Sequence, residues 1–249
     1  MLHFRSETVW LALCPDQVGG VRIRRGHAEV LEPVCYQAAS GEAPLAALLE
    51  AVRGWLERHA VARQRVNVLL SDRLVRYALL PFSAMPLSEQ EEAALLGARF
   101  EELYGEMPQW RVQADRPEYG KARIACAMPL ALADGVAGLL AGAGARGGAV
   151  LPFFVACWNR WRRQGAGRDG LVAVVEPEHM VIGSFGAGGW SSLRSVFAAT
   201  SEAVVADLVF REKIMQGLDP ALPVSLLGMP PGATAQPASV AMALMGAGR

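Results

Sequence analysis

The feature that most constrains this chain is an order of elements that occurs twice. Residues 8–13, 20–24 and 28–34 are short β-rich runs separated by Pro15-Asp16 and by Arg25-Gly26-His27, the pattern of three antiparallel strands. Next, Leu45, Leu48, Leu49, Val52 and Leu56 fall at i, i+3, i+4, i+7 and i+11, the period of one buried helix face, with Pro44 tolerated in its first turn. An apolar strand signal follows at 66–70. Farther along, 171–175, 179–185 and 190–196 form a second set of three strand signals. A second helix at 200–215 uses Val204, Val205, Leu208 and Val209 and is closed by Gly217 and Pro220. A last strand signal lies at 223–227. Order repeated in this way, without repeated residues, predicts two related α/β subdomains with mixed sheets.

Further elements lie between the two copies. Ser71-Asp72-Arg73 separates the strand at 66–70 from another at 74–80, and beyond Pro81 and Pro86 a capping box begins. There Ser88 caps the amides of a new helix while Glu91, three residues on, reaches back to the cap. Ala93, Leu96, Phe100 and Leu103 are the expected buried face of that helix. A strand pair is expected at 110–114 and 122–127, joined through Pro117-Glu118-Tyr119-Gly120. Leu132, Val136, Leu139 and Leu140 mark a helix of low polarity, and 147–151 fits a short strand. Phe154, Cys157, Trp158 and Trp161 fall at i, i+3, i+4 and i+7, the spacing of a helix packing face rather than a cofactor site. The glycine-rich, polar stretch 164–170 is the expected boundary between subdomains. From Gly228 onward Arg249 is the only charged residue, so a flexible tail is expected over 228–249.

Composition excludes several functions. The chain has 249 residues, enough for a substantial core, and balances 24 basic against 24 acidic residues, which argues against generic binding to nucleic acid or to an anionic membrane. Only Lys121 and Lys213 are lysines. Ala122 and Ile214 follow them, so neither fits a phosphate loop of the G-x-x-x-x-G-K-[ST] type. Cys14, Cys35, Cys126 and Cys157 are widely spaced and expected to be buried thiols of a reducing compartment, and four scattered histidines add no zinc-ligand spacing. The serines lack a G-x-S-x-G context. The glycine-rich stretch 183–189 joins two strand signals and reads as a hairpin turn. Residues 1–14 carry Arg5 and Glu7 before a short apolar run, unlike a secretory signal. The apolar region 130–158 is broken by Asp134, Arg146 and Pro152, unlike a membrane span. A soluble cytoplasmic protein is expected.

The element order resembles the actin-like (ribonuclease H-like) fold, and in particular the actin-like proteins of bacterial type IV pilus and type II secretion assembly, the PilM and GspL group. The local likenesses are Val66-Asn67-Val68-Leu69-Leu70-Ser71-Asp72-Arg73-Leu74-Val75-Arg76-Tyr77, running into Leu79-Leu80-Pro81-Phe82, and Gly147-Gly148-Ala149-Val150-Leu151-Pro152-Phe153-Phe154. The resemblance implies an α/β fold of two related subdomains with mixed β-sheets flanked by helices. The first would cover 1–164 with an inserted strand-helix region and the second, truncated, 165–227. It also implies that nucleotide phosphates, if bound, would sit at the first hairpin turn of each subdomain, where an Asp-x-Gly segment serves magnesium and phosphate. Here those turns read Leu13-Cys14-Pro15-Asp16-Gln17-Val18-Gly19-Gly20 and Val175-Glu176-Pro177-Glu178-His179. Each has a proline in place of a donor amide and lacks the Asp-x-Gly order. Asp16, Glu176 and Glu178 are the candidates for a cofactor or metal, and no cofactor is expected.

The resemblance with poor phosphate loops implies a non-catalytic scaffold, recruited to the inner membrane by its partners. These would be a cytoplasmic segment of an inner-membrane pilus or secretion protein and, as a second candidate, an assembly ATPase. Ser71, Asp72 and Arg73 are the candidate partner-binding residues. The alternatives are an actin-like ATPase or sugar-kinase relative with unorthodox loops, and a homodimeric structural domain without a small ligand.

Overall fold

The structure, a computed structural model, describes residues 7–37, 44–85, 87–106, 109–164, 169–229 and 236–248. It divides into two compact units, each built from separated stretches of chain. The first comprises Met1–Leu74, Ala131–Arg160 and Ala233–Arg249, and the second Val75–Leu130 and Trp161–Gly232.

In the first unit, β1 (Thr8–Leu13), β2 (Gln17–Arg24) and β3 (His27–Cys35) form an antiparallel meander. Helix α1 (Pro44–His59) then leads to β4 (Arg65–Leu70), which pairs parallel with β1. The short strand β8 (Arg146–Pro152) adds parallel to β4, giving the order β3-β2-β1-β4-β8. Val9, Leu11, Val66, Val68 and Leu69 are fully buried, as the central strands of a sheet covered on both faces require.

Two adjacent glycines of β2 show what covers each face. A Cβ on Gly20 would come 2.7 Å from the Trp55 ring of α1, and one on Gly19 would collide with Ser239 of α6 (Ala238–Gly246). Successive residues of a strand point to opposite faces, so α1 and α6 lie on opposite sides of this sheet. That corrects the expectation of a flexible tail over 228–249: Ser239, Val240, Met242 and Ala243 are buried. The Oε1 of Gln17 accepts hydrogen bonds from Ser239 Oγ (2.9 Å) and Ser239 N–H (3.3 Å), and Arg160 Nη1 donates to the Met245 carbonyl at 2.9 Å. Small uncharged residues resemble a linker in composition, but they also allow a helix to approach a sheet closely. The Gly246 position, for instance, faces Leu69 and Trp10.

The second unit repeats the order. Strands β9 (Gly170–Glu176), β10 (His179–Gly186) and β11 (Gly189–Phe197) form a meander, α5 (Glu202–Met215) follows, and β12 (Val224–Gly228) returns parallel to β9. The order β11-β10-β9-β12 matches β3-β2-β1-β4 strand for strand. Val205 of α5 packs on Leu171, Ala173, Met180 and Ile182. The glycines between β10 and β11 form the expected hairpin turn, with Gly189 at φ 87°.

The insertion belongs to this unit, so the units do not follow the expected boundaries at 164 and 227. It holds a sheet of order β5-β7-β6, made of β5 (Arg76–Leu80), β6 (Trp110–Ala114) and β7 (Arg123–Pro129), with α2 (Glu89–Tyr104) packed on it through Leu96 and Phe100. Both halves of the predicted capping box are present: Glu91 N–H donates to Ser88 Oγ at 3.3 Å, and Ser88 N–H donates to the Glu91 carboxylate at 2.8 Å. Ala93 and Leu103 are exposed instead of buried, and Leu96 and Phe100 are the buried residues of α2. Helix α3 (Leu130–Gly142) packs in the first unit, where the Gly135 position meets Leu49 of α1. Helix α4 (Phe153–Arg163) buries Phe154, Cys157 and Trp158 of the predicted stripe together with Phe153, while Trp161 is half-buried. Of the cysteines, Cys14 and Cys157 are buried, but Cys35 at the end of an edge strand is exposed and Cys126 half-buried.

Candidate functional site

The two hairpin turns are held in different ways. Between β1 and β2, Cys14 N–H donates to the Gln17 carbonyl at 2.9 Å, Pro15 has no N–H, and the Asp16 carbonyl accepts from Tyr36 N–H at 3.0 Å. Tyr36 Oη also donates to the Cys14 carbonyl at 2.8 Å. Burial, and after it the neighbouring Cys14 and Asp16, push that phenol well above its usual pKa, which keeps it a donor. The Asp16 side chain points to solvent.

Between β9 and β10, Pro177 precedes Glu178 at φ 59°, the proline-then-left-handed order of a type II turn. The Glu178 carbonyl accepts from Ala198 N–H at 3.2 Å. Glu178 is exposed, while Glu176 is 2% exposed within the sheet. Asp16 thus lies in one unit and the two glutamates in the other. Among the described residues, no three His, Cys, Asp or Glu side chains converge as a metal-ligand set.

Ser71-Asp72-Arg73 is not an open loop. Ser71 and Asp72 are 0% and 1% exposed, and a 3-10 turn spans Asp72–Leu74. Both Asp72 carboxylate oxygens accept from Phe154 N–H, at 2.9 and 3.0 Å, in the first turn of α4. A carboxylate there satisfies a helix amide that has no intrahelical acceptor and complements the positive end of the helix. Ser71 N–H donates to the Leu13 carbonyl at 2.9 Å and Ser71 Oγ accepts from Arg73 N–H at 3.3 Å. Their polar atoms therefore serve the fold, and Arg73 is the half-exposed member of the trio.

The second unit contains an open groove of about 440 Å³ between β5, α2 and β11. Arg76, Arg99 and Arg194 line it, one from each element, and none of its lining residues is acidic. Between them stand Leu103, Tyr104 and Phe197, which are 45%, 41% and 62% exposed. Tyr104 Oη donates to the Tyr77 carbonyl at 2.7 Å and Arg99 Nε to the Leu79 carbonyl at 3.3 Å, so α2 already satisfies these backbone acceptors of β5.

The three guanidinium groups differ in their partners. Arg99 pairs with Glu102 at 2.6 Å, and Arg194 lies 3.4 Å from the Glu212 carboxylate, which is 2% exposed and also accepts from Ser192 Oγ at 3.3 Å. Arg76 forms no ion pair among the described residues; its guanidinium lies 5.8 Å from the Trp110 ring centroid. These residues escaped sequence reasoning because they come from three elements spread over more than a hundred positions, and an isolated arginine in a strand carries no motif. The one available signal was the aromatic Phe197 at the end of a strand.

No protein-family model matches this chain, and neither does any curated protein. Solved structures do. Over 92% of this chain and 86% of the other, it is similar to a Bacteroides thetaiotaomicron protein with an actin-like ATPase fold and unknown function, at a TM-score of 0.61 and 13% identity. It is also similar to the cytoplasmic domain of EpsL, an inner membrane component of the type II secretion system of Vibrio cholerae, over 98% of this chain and 96% of that one (TM-score 0.61, 13% identity). A third match is to the PilM-PilN type IV pilus biogenesis complex, over 86% of this chain and 67% of that one (TM-score 0.54, 18% identity). The chain has the actin-like fold that its element order predicts. Among the described residues no helix is long and apolar enough to cross a membrane.

Proposed function

We propose that this chain is a non-catalytic cytoplasmic scaffold that binds partner proteins in type IV pilus or type II-like secretion assembly. The observation that carries this reading is the state of the two hairpin turns on an actin-like frame. Nucleotide binding at such turns needs free backbone donors and an acid placed for magnesium. Here the first turn spends its Cys14 amide on Gln17 and has Pro15 next, while the second has Pro177 and buries Glu176. Similarity in fold to the EpsL cytoplasmic domain and to the PilM-PilN complex supports the direction of the assignment. The partners would be a cytoplasmic segment of an inner-membrane pilus or secretion protein and an assembly ATPase.

Calorimetry with Mg-ATP and affinity purification from the native host test this together. The expected results are no magnesium-dependent nucleotide binding and recovery of a pilus or secretion component. Tight Mg-ATP binding that Asp16→Ala abolishes would overturn the scaffold reading as stated and favour a nucleotide-binding enzyme. Purification without any such component removes the assembly role.

A further inference from the structure

We infer that the groove between β5, α2 and β11 is the docking site for an extended protein segment that combines carboxylates with apolar side chains. The inference deepens the scaffold reading and rests on it. Charge complementarity identifies the occupant. Three arginines line a groove with no acidic lining residue, and Arg76, which lacks a carboxylate partner among the described residues, supplies its uncompensated charge. Arginine presents a planar fork of donors suited to carboxylates, and it gains most where apolar surface excludes water around the pair.

That apolar surface is present. Phe197, Leu103 and Tyr104 line the same groove and are between 41% and 62% exposed, two aromatic side chains and a leucine beside arginine as is typical of protein interfaces. Two further features separate this site from one built for a small polyanion. Arg99 and Arg194 already hold Glu102 and Glu212, so most of the positive charge is locally balanced, and a polyphosphate would meet only one uncompensated cation. The apolar side chains, by contrast, would gain nothing from a phosphate. With Tyr77 and Leu79 carbonyls occupied by α2, recognition at β5 falls to side chains rather than to strand addition.

Fluorescence anisotropy on the full chain tests the site with three labelled synthetic peptides of equal length. One mixes Glu and Asp with Leu and Phe, a second replaces every acid by Lys, and a third replaces every Leu and Phe by Ser. The first should bind saturably and more weakly as salt is raised, and the other two should bind at least about tenfold more weakly. Arg76→Glu should weaken the first peptide by about tenfold or more, and Leu103→Ser by a smaller factor. Both side chains are outside the core, so an unchanged unfolding midpoint shows that the variants are folded.

Equal affinity for the acidic and the Lys peptides, or an Arg76→Glu protein that binds as well as the parent, overturns the inference. Displacement of the acidic peptide by pyrophosphate at micromolar concentration also overturns it, reassigning the groove to phosphate. Affinity purification separates this outcome from the scaffold reading. If parent and Arg76→Glu proteins recover the same pilus or secretion component equally, the groove is not its site and the scaffold stands. If the parent recovers none, the scaffold reading falls.

Discussion

The helices of the two copies grip their sheets very differently. In the first, α1 buries Ala47, Leu48, Ala51, Val52, Trp55 and Leu56. In the second, α5 buries only Val205 and Glu212, and leaves Phe210, Ile214 and Met215 more than half exposed. The topology is the same, yet one helix spends its apolar residues on the core and the other keeps several at the surface. Of these, Met215 lies beside Arg194 of the groove, its sulfur 3.0 Å from the Arg194 Nη1. The first copy therefore holds its helix by a large buried face, and the second leaves apolar helix surface accessible.

Mutation can break that contrast at several depths. The largest expected effect is Trp55→Ala, which empties a fully buried site over Gly20 and should cost about 3–5 kcal/mol in denaturant unfolding. The matching probe of the second copy, Val205→Ala, should cost about 2 kcal/mol, and equal losses at the two sites would erase the contrast. Asp72→Ala leaves a buried helix amide without its carboxylate and should cost about 2–3 kcal/mol, with the loss read from the shift in urea midpoint at constant slope.

Gly19→Ala probes the docking of α6. The new methyl meets Ser239, so stability should fall by about 1–2 kcal/mol and be partly restored by adding Ser239→Gly. Independence of the two changes would mean that α6 does not bear on β2. The smallest effect is Ile214→Ser on the exposed face of α5, expected to change stability by about 0.5 kcal/mol or less. A much larger loss would show that this face is part of the core after all.

Much of the fold was legible because it is carried by local signals. Three-strand runs, the Leu45 to Leu56 stripe and the Ser88-Glu91 box each report on neighbours within a few residues, and the structure has all of them. Strand β2 begins at Gln17, earlier than its pattern suggests, because Val18 finds its partner in β3 across a register shift. Such pairings depend on residues that sequence periodicity does not see. Helix α6 was hidden for a related reason: Ser239 and Met242 are buried against Gly19 and Cys14, more than two hundred positions away.

The candidate site was less legible. A turn between strands was recognisable at Ser71-Asp72-Arg73, but not that the Asp72 carboxylate turns inward to a helix that starts 81 positions later. Nor does any periodicity relate Arg76, Arg99 and Arg194. By itself the sequence determined the element types, their duplicated order and the poor chemistry of both hairpin turns, since hydrophobic period, proline placement and missing lysines are local properties. Only the tertiary structure decided which polar residues are buried, which helix keeps its apolar face in solvent and which arginines share a groove. Those outcomes depend on the packing of distant segments, where burial and charge are settled by what comes to lie alongside.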